Sequence, residues 1–340
     1  PSGGGASGNN MVKITALEYD EGNDGGDGNV TNQTQYVDSS TTRVTTLEYD
    51  YRSRRTETDG EEDFSEKLTY DNLDRVTKRE RYDTTTSGNL VSRSETEFDD
   101  RGRVYQTIRY GVDPSTGTVG NSLTDNTWLD AAGNAIKQQA AGSDLFTKTT
   151  YDSLGRRTVR YSGYDQDETS YADAGTVTGD TIMEQVESTY DDAGNTIESV
   201  TRQRYHNAPA SQTGELKSPS MTPNARVSYT AMYPDALGRT VSAANYGTNG
   251  GTALSRSATI PTPSDTILVT STEFDSSGNR ESTTDPSALQ MDYEYDDVGR
   301  ETKRVMNPSG SSSGSGSVDT NITVHTAYNA DGNVKSLTAD

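Results

Sequence analysis

Apolar and polar residues alternate with a period of two along this chain, and one short phrase interrupts the alternation again and again. In Thr149-Thr150-Tyr151-Asp152-Ser153-Leu154-Gly155-Arg156-Arg157-Thr158-Val159-Arg160-Tyr161, the Thr and Tyr before the Asp favour a pleated chain. After the Gly, Arg157, Val159 and Tyr161 fall on one side and Thr158 and Arg160 on the other, which is the period of a strand. The Asp at the first turn position is placed to bond its own backbone two residues on. The Gly supplies the left-handed residue that a hairpin built on a type I turn with a bulge requires. Each unit therefore predicts a β-hairpin with a fixed turn. No stretch predicts an amphipathic helix.

The phrase is an aromatic residue, Asp, two variable residues, Gly, then Arg or Asn. Its aromatic heads fall at Tyr19, Tyr49, Tyr70, Phe98, Trp128, Tyr151, Tyr190, Tyr233, Phe274, Tyr295 and Tyr328. Tyr19, Tyr49 and Tyr70 head looser copies, Trp128 and Tyr233 head copies with one extra residue before the Asp, and Tyr328 is followed by Asn329 instead of Asp. The turn glycines are Gly102, Gly133, Gly155, Gly194, Gly238, Gly278, Gly299 and Gly332. The shortest steps, Tyr49 to Tyr70 and Phe274 to Tyr295, are 21 residues, enough for two strands of about six residues and two turns. Longer steps hold insertions near 113–127, 163–182, 207–226, 247–267 and 307–321, rich in Gly, Ser, Thr and Pro, which predict loops or lengthened hairpin tips. A repeat that cannot bury its own apolar face stacks on its neighbours, so function is expected to belong to the array. The expected organisation is a Gly/Ser-rich linker and first strand over 1–16, then one continuous array of about eleven repeats over 17–340.

A second aromatic often follows each head by ten to fifteen residues (Tyr82, Tyr110, Tyr161, Tyr205, Tyr246), with an Arg just before it at Arg81, Arg109, Arg160 and Arg204. Stacked Tyr and Arg on adjacent strands give roughly 0.5–1 kcal/mol per exposed contact. Such a ladder is either a ligand-binding surface or the sheet's own packing, and the second is the simpler expectation.

The repeated Tyr-Asp-x-x-Gly-Arg phrase at spacings near 21 resembles the Rhs or YD-repeat family. So does Thr284-Asp285-Pro286 leading into Tyr293-Glu294-Tyr295-Asp296-Asp297-Val298-Gly299-Arg300. The resemblance runs from about Leu17 to Leu337. It implies an all-β fold, an elongated array of hairpins forming a spiralling ribbon, tube or shell. The family includes bacterial polymorphic toxins, insecticidal toxin-complex subunits, wall-associated proteins and teneurins, and in its toxins the shell encloses a C-terminal cargo domain. Those toxins carry an Asp-Pro-x-Gly-type element in a core after the repeats. Asp113-Pro114-Ser115-Thr116-Gly117 and Asp285-Pro286 stand outside any such core, and no toxin-like tail follows.

Composition narrows the function. Apolar residues are only 29% of the chain, so a thin sheet with both faces partly wet is expected instead of one deep core. Tyr, with 20 copies against 4 of Phe, suits a half-exposed aromatic row. A net charge of −22 opposes nucleic acid and anionic membrane surfaces, and it discourages strand edges from pairing. There is no cysteine, which excludes disulfides and zinc–thiolate sites, and no run approaches the roughly 18 apolar residues of a membrane span.

Catalytic chemistry is not expected. His206 and His325 read as solvated strand residues, and Gly310-Ser311-Ser312-Ser313-Gly314 matches the nucleophile elbow without the strand and helix that elbow needs. Gly25-Gly26-Asp27-Gly28-Asn29 faintly resembles a calcium-binding β-roll turn; loosely held calcium is the one cofactor the Asp-rich turns admit. Sequons at Asn29, Asn32 and Asn321 matter only in a secretory host.

The chain begins at Pro1 instead of Met and ends, at Asp340, in register with its start, which points to a segment of a longer repeat protein or to subunits joined head to tail. The reading as a whole is a non-enzymatic structural array in an extracellular or cell-surface fibre of a bacterial host, whose expected partners are its own repeats, with glycans as a further candidate. A fragment of a toxin-encapsulating shell and a carbohydrate-binding adhesin are the two alternatives.

Overall fold

The computed structural model describes residues 13–22, 25–38, 40–60, 64–84, 87–164, 171–308 and 320–339. The tracts at 1–12 and 309–319, with the serine pattern at 310–314, lie outside them. Strands take up 56% of the described residues and helix 3%, so the fold is all-β, built from hairpins.

Two compact units are present, Pro1–Phe146 and Thr147–Asp340. The first holds β1 (Thr15–Tyr19), β2 (Val30–Tyr36), β3 (Thr42–Tyr49), β4 (Arg55–Gly60), β5 (Phe64–Tyr70), β6 (Val76–Tyr82), β7 (Leu90–Phe98), β8 (Val104–Asp113), β9 (Thr118–Leu129) and β10 (Ala135–Gln139). Each pairs antiparallel with the next in sequence. β11 (Leu145–Tyr151) spans the boundary. The second unit holds β12 (Arg157–Tyr164), a single helical turn α1 (Tyr171–Ala174), β13 (Thr181–Tyr190), β14 (Thr196–Arg204), β15 (Ala225–Pro234), β16 (Thr240–Gly247), β17 (Leu268–Phe274), β18 (Arg280–Thr284), β19 (Gln290–Tyr295), β20 (Glu301–Met306), β21 (Ile322–Tyr328) and β22 (Val334–Ala339). It is the same antiparallel meander from β12 to β22.

A meander sorts its connections by parity. The phrase turns all join an odd strand to the next even strand, so within each unit they line one rim. Connections from even to odd strands lie on the opposite rim, and the insertions are all there. The segment near 113–127 is not a loop: β8 and β9 lengthen and meet across residues 114–117. Residues 205–224 and 248–267 are long connections, while most of 307–321 falls outside the described residues.

The second unit has more of a core than a thin wet sheet predicts. β15 alternates strictly, burying Ala225, Val227, Tyr229, Ala231 and Tyr233. Ala231 and Tyr233 form a cluster with Ala244 and Val269, and Leu254 and Ile267 from the 248–267 connection pack onto it. Leu216, from the 205–224 connection, is 1% exposed, and its N–H donates to Gln185 Oε1 at 2.9 Å. The insertions therefore fold back as cover, supplying apolar contacts that the repeat itself lacks.

A buried ion pair fastens another connection. Lys148 on β11 and Asp180, just before β13, have side chains 3% and 1% exposed, with Nζ 2.7 Å from Oδ2. The same ammonium donates to the carbonyls of Asp173 and Thr176, at 2.9 and 2.6 Å, so its three protons are all used at the C-terminal end of α1. Removing one partner strands a buried charge. Asp180→Ala is expected to lower the unfolding free energy of this unit by about 3–5 kcal/mol in urea titration.

Candidate functional site

The phrase-bearing rim is where sequence and structure converge most closely, and one turn shows its chemistry. Asp152 N–H donates to Arg156 O at 2.9 Å, and Gly155 N–H donates back to Asp152 O at 3.0 Å. Asp152 Oδ1 accepts the N–H groups of Leu154 and Arg156, both at 2.9 Å, and Oδ2 accepts Arg156 Nε at 2.7 Å. One carboxylate thus organises the whole loop. The same scheme closes the turns at Asp50, Asp71, Asp99, Asp235 and Asp296. Where Asn replaces Arg, its amide takes over: Asn134, Asn195 and Asn279 Nδ2 lie 2.9, 2.9 and 3.1 Å from the turn carboxylate.

The arginine also reaches the next hairpin. Arg54, Arg75, Arg156, Arg239 and Arg300 place their guanidinium carbons over the rings of Tyr70, Phe98, Tyr190, Phe274 and Tyr328, at 4.8, 4.3, 4.6, 4.1 and 4.5 Å. Each of these rings heads the following turn. Nη1 of Arg54, Arg103 and Arg156 donates to the carbonyl of the following turn's Asp, namely Asp71, Asp130 and Asp191, at 2.7, 2.9 and 3.2 Å. Where the stacked head is Tyr, the contact is returned. The hydroxyls of Tyr70, Tyr190 and Tyr328 donate to the carbonyls of Arg55, Arg157 and Glu301, each the residue after the stacking arginine.

The Gly serves two purposes here. Gly102 has φ +80°, and a Cβ there would stand 3.0 Å from Nη1 of Arg75, the arginine of the preceding turn. Nη1 of Arg239 and Arg300 likewise passes 3.6 and 3.7 Å from the Cβ positions of Gly278 and Gly332. The missing side chain leaves the backbone left-handed and leaves room for the neighbour's guanidinium. Gly133, Gly155, Gly194, Gly238 and Gly299 are left-handed too, while Ser53 and Asp74 hold that conformation in the looser turns.

Two heads stand elsewhere. In the regular turns the residue before the Asp faces the residue after the Arg or Asn, as Tyr190 faces Thr196. Leu129 faces Ala135 and Pro234 faces Thr240, so Leu129 and Pro234 hold the head position at those turns. Trp128 and Tyr233 come one residue earlier, and a one-residue offset sends a side chain to the other face of the sheet. Each finds a cation there. Lys137, 1% exposed, puts Nζ 4.6 Å from the Trp128 ring and 5.2 Å from Phe146. Arg256, from the 248–267 connection, sits 4.7 Å from the Tyr233 ring and donates to Ile197 O and Met232 O at 3.0 and 2.9 Å.

Tyr19, Tyr49, Tyr151 and Tyr295 close β1, β3, β11 and β19. The chain from Tyr19 to β2 is not the regular turn: it carries left-handed Asp20 and Glu21. There the carboxylates of Asp20 and Asp27 accept the N–H groups of Gly28 and Asn29, and no group of three or more His, Cys, Asp or Glu is set to hold an ion among the described residues.

The second aromatics do not pair with the arginines beside them in sequence, because neighbours on a strand point to opposite faces. Tyr110 is stacked by Arg93 from β7 and donates to Glu95. Tyr161 is 4% exposed and bonded to Glu215, and burial pushes its hydroxyl pKa up. Arg81 stacks on Phe64, Arg109 pairs with Asp125, and Arg204 donates to the carbonyls of Pro209 and Gln212. Arg256, Lys137 and the Lys148–Asp180 pair carry no signal in the local sequence, since their partners lie on other strands.

The turn carboxylates are held below their ordinary range. Backbone N–H groups are the main cause at Asp99, Asp152 and Asp296, and the Arg54 and Asn195 side chains at Asp50 and Asp191.

No family model matches the chain, and no curated protein sequence matches it. Among solved structures, TcdB2-TccC3 without its hypervariable C-terminal region matches at 12% identity and TM-score 0.37, over 92% of this chain and 19% of that one. The TcdB2-TccC3-Cdc42 structure matches at 12% identity and TM-score 0.34, over 92% and 22%. A Tc holotoxin pore of Photorhabdus luminescens carrying a TccC3 mutation matches at 13% identity and TM-score 0.30, over 96% and 18%. The chain spans about a fifth of the length of these proteins.

Three outcomes are expected. Asn279→Arg places a guanidinium where five other turns have one, over Tyr295, and raises the unfolding free energy by about 0.5–1 kcal/mol in denaturant titration. Gly102→Ala and Gly278→Ala both incur the left-handed penalty of about 1–2 kcal/mol, and Gly102→Ala costs more because Arg75 must also move; thermal melts of the two variants report the difference. Because the turn carboxylates titrate lower when folded, their contribution is complete above the unfolded value near pH 4 and is lost as pH falls through the folded values. Stability followed by circular dichroism is therefore expected to be level near neutrality and to decline below about pH 4.

Proposed function

We propose that this chain is a non-enzymatic YD-repeat array with a structural role, part of an extracellular or cell-surface fibre. The observation that supports this best is the relay along the rim. Every arginine turn satisfies its own Asp and supports the next hairpin with the same side chain, so hairpins can be added without new chemistry. The rim's guanidinia and carboxylates are engaged with one another, which suits cohesion better than turnover.

Growth by strand addition fits the sheet edges. Among the described strands, β1 pairs only with β2 and β22 only with β21, and every residue of β22 is exposed. Such an edge is a template for another strand, and a head-to-tail contact of this kind extends without closing. Sedimentation velocity over a hundredfold concentration range, with electron microscopy of the same samples, tests the proposal. Linear oligomers that lengthen with concentration, and that Leu337→Pro abolishes by removing a ladder donor, are the expected result. A monomer at every concentration, or discrete closed particles, counts against assembly through these edges.

A further inference from the structure

The two long connections of the second unit enclose a cavity that the repeat does not need. It measures about 340 Å³, within the size range of small-molecule sites. Its floor is Arg202 on β14 with Val227 and Tyr229 on β15, Tyr205 and Pro219 wall one side, and Thr248 and Ala253 wall the other. The space has a definite origin: Tyr229 faces Gly247 across the β15–β16 ladder, so its cross-strand neighbour contributes no side chain to fill it. The nearby Gly250 and Gly251 also have open space where a Cβ would stand.

Both walls are pinned. Lys217 N–H donates to Pro223 O at 2.7 Å, Gly214 N–H to Asp180 O at 2.8 Å, and Arg204 ties down Pro209 and Gln212. Leu254 and Arg256 anchor the other wall. Ordering some twenty residues in each connection costs on the order of 1 kcal/mol per residue, and this order holds a concave surface in place.

The lining is chemically selective. In a chain of net charge −22 its floor carries the guanidinium of Arg202 and no carboxylate lines it, while Arg226 stands on the face of β15 opposite Val227 and Tyr229. Glu187 accepts Nε of Arg202 at 2.6 Å, which orients the guanidinium while its Nη groups make no hydrogen bond among the described residues. An oriented guanidinium fork favours a carboxylate. Two tyrosine rings, Pro219 and Val227 offer apolar faces, and Ser218 and Thr248 offer hydroxyls.

From this combination we infer that the cavity is a binding site for an anionic sugar, a six-membered ring bearing one carboxylate. The ring lies against Tyr205 and Tyr229 and the carboxylate faces the guanidinium. The site is contained in one unit and does not depend on array assembly, so a chain that stays monomeric retains it.

Saturation-transfer NMR with the full chain tests this, using methyl glucuronoside, the neutral methyl glucoside, acetate and inorganic phosphate as probes. The uronoside is expected to bind at least about tenfold more tightly than the glucoside, since a hydrogen bond to a charged group is lost in the neutral sugar. Tyr205→Ala and Arg202→Gln, each checked for unchanged thermal unfolding, are expected to weaken the uronoside at least about fivefold. Three results overturn the inference: no transfer to the uronoside at about 20 mM, equal binding of both glycosides, or acetate and phosphate binding as well as the uronoside with Tyr205→Ala without effect. A variant that unfolds is replaced by Thr248→Val, which removes one hydroxyl and is expected to weaken both glycosides and leave acetate unchanged.

Discussion

Cohesion in this protein depends on one side chain that belongs to two turns at once. The turn arginine closes its own loop through a bidentate contact with Asp, then lays the same planar group on the next hairpin's ring. Lysine cannot do both, because it lacks the fork and the flat face. Successive turns on a rim stand about 10 Å apart, two strand spacings, a gap that a long arginine side chain closes together with its stacking distance to the ring. A chain with only 29% apolar residues cannot hold its strands by a deep core alone, and the rim supplies cohesion where burial is thin.

The rim of the second unit is not uniform. Its turns carry Arg156, Asn195, Arg239, Asn279, Arg300 and Asn333 in that order, a strict alternation. The residue two before each arginine is Leu154, Leu237 or Val298, against Ala193, Ser277 or Asp331 in the asparagine turns. An asparagine satisfies its own Asp but is too short to stack on the next head, so hairpins are clamped in pairs. The first unit differs: Arg54, Arg75 and Arg103 come in succession before Asn134. Tighter and looser junctions along one array give it a defined place to bend or yield, since stability in repeat arrays is set largely by neighbour interfaces.

The two rims divide the work. The regular turns on the phrase rim are committed to one another and leave no room for added residues; only the connection from β1 to β2 is longer. Connections on the other rim can lengthen freely, because a longer loop costs little extra closure entropy and interrupts no strand pairing. In the second unit that freedom has produced cover for the sheet, a buried Lys148–Asp180 anchor, and a cavity between two connections. Arg256 shows how the two rims cooperate: an insertion sends a guanidinium onto a displaced head that no turn arginine reaches.

Much of this was legible in the residues. The period-two alternation, the Asp and the Gly are local instructions, and they define strands, turns and the positions of the heads because a hairpin turn is closed by its own few residues. The Arg of the phrase was visible as a pattern, but its second role was not, since the ring it stacks on lies a full hairpin away. The offset of Trp128 and Tyr233 appeared in the sequence as one extra residue. That the extra residue turns each ring to the opposite face, toward Lys137 and Arg256, depends on the ladder register. The local core of the second unit was not legible in composition, because composition averages over the chain while Leu216, Leu254 and Ile267 are gathered from connections onto β15 and its neighbours. Local geometry belongs to the sequence alone; which distant side chains share a space is decided only when the strands are laid side by side.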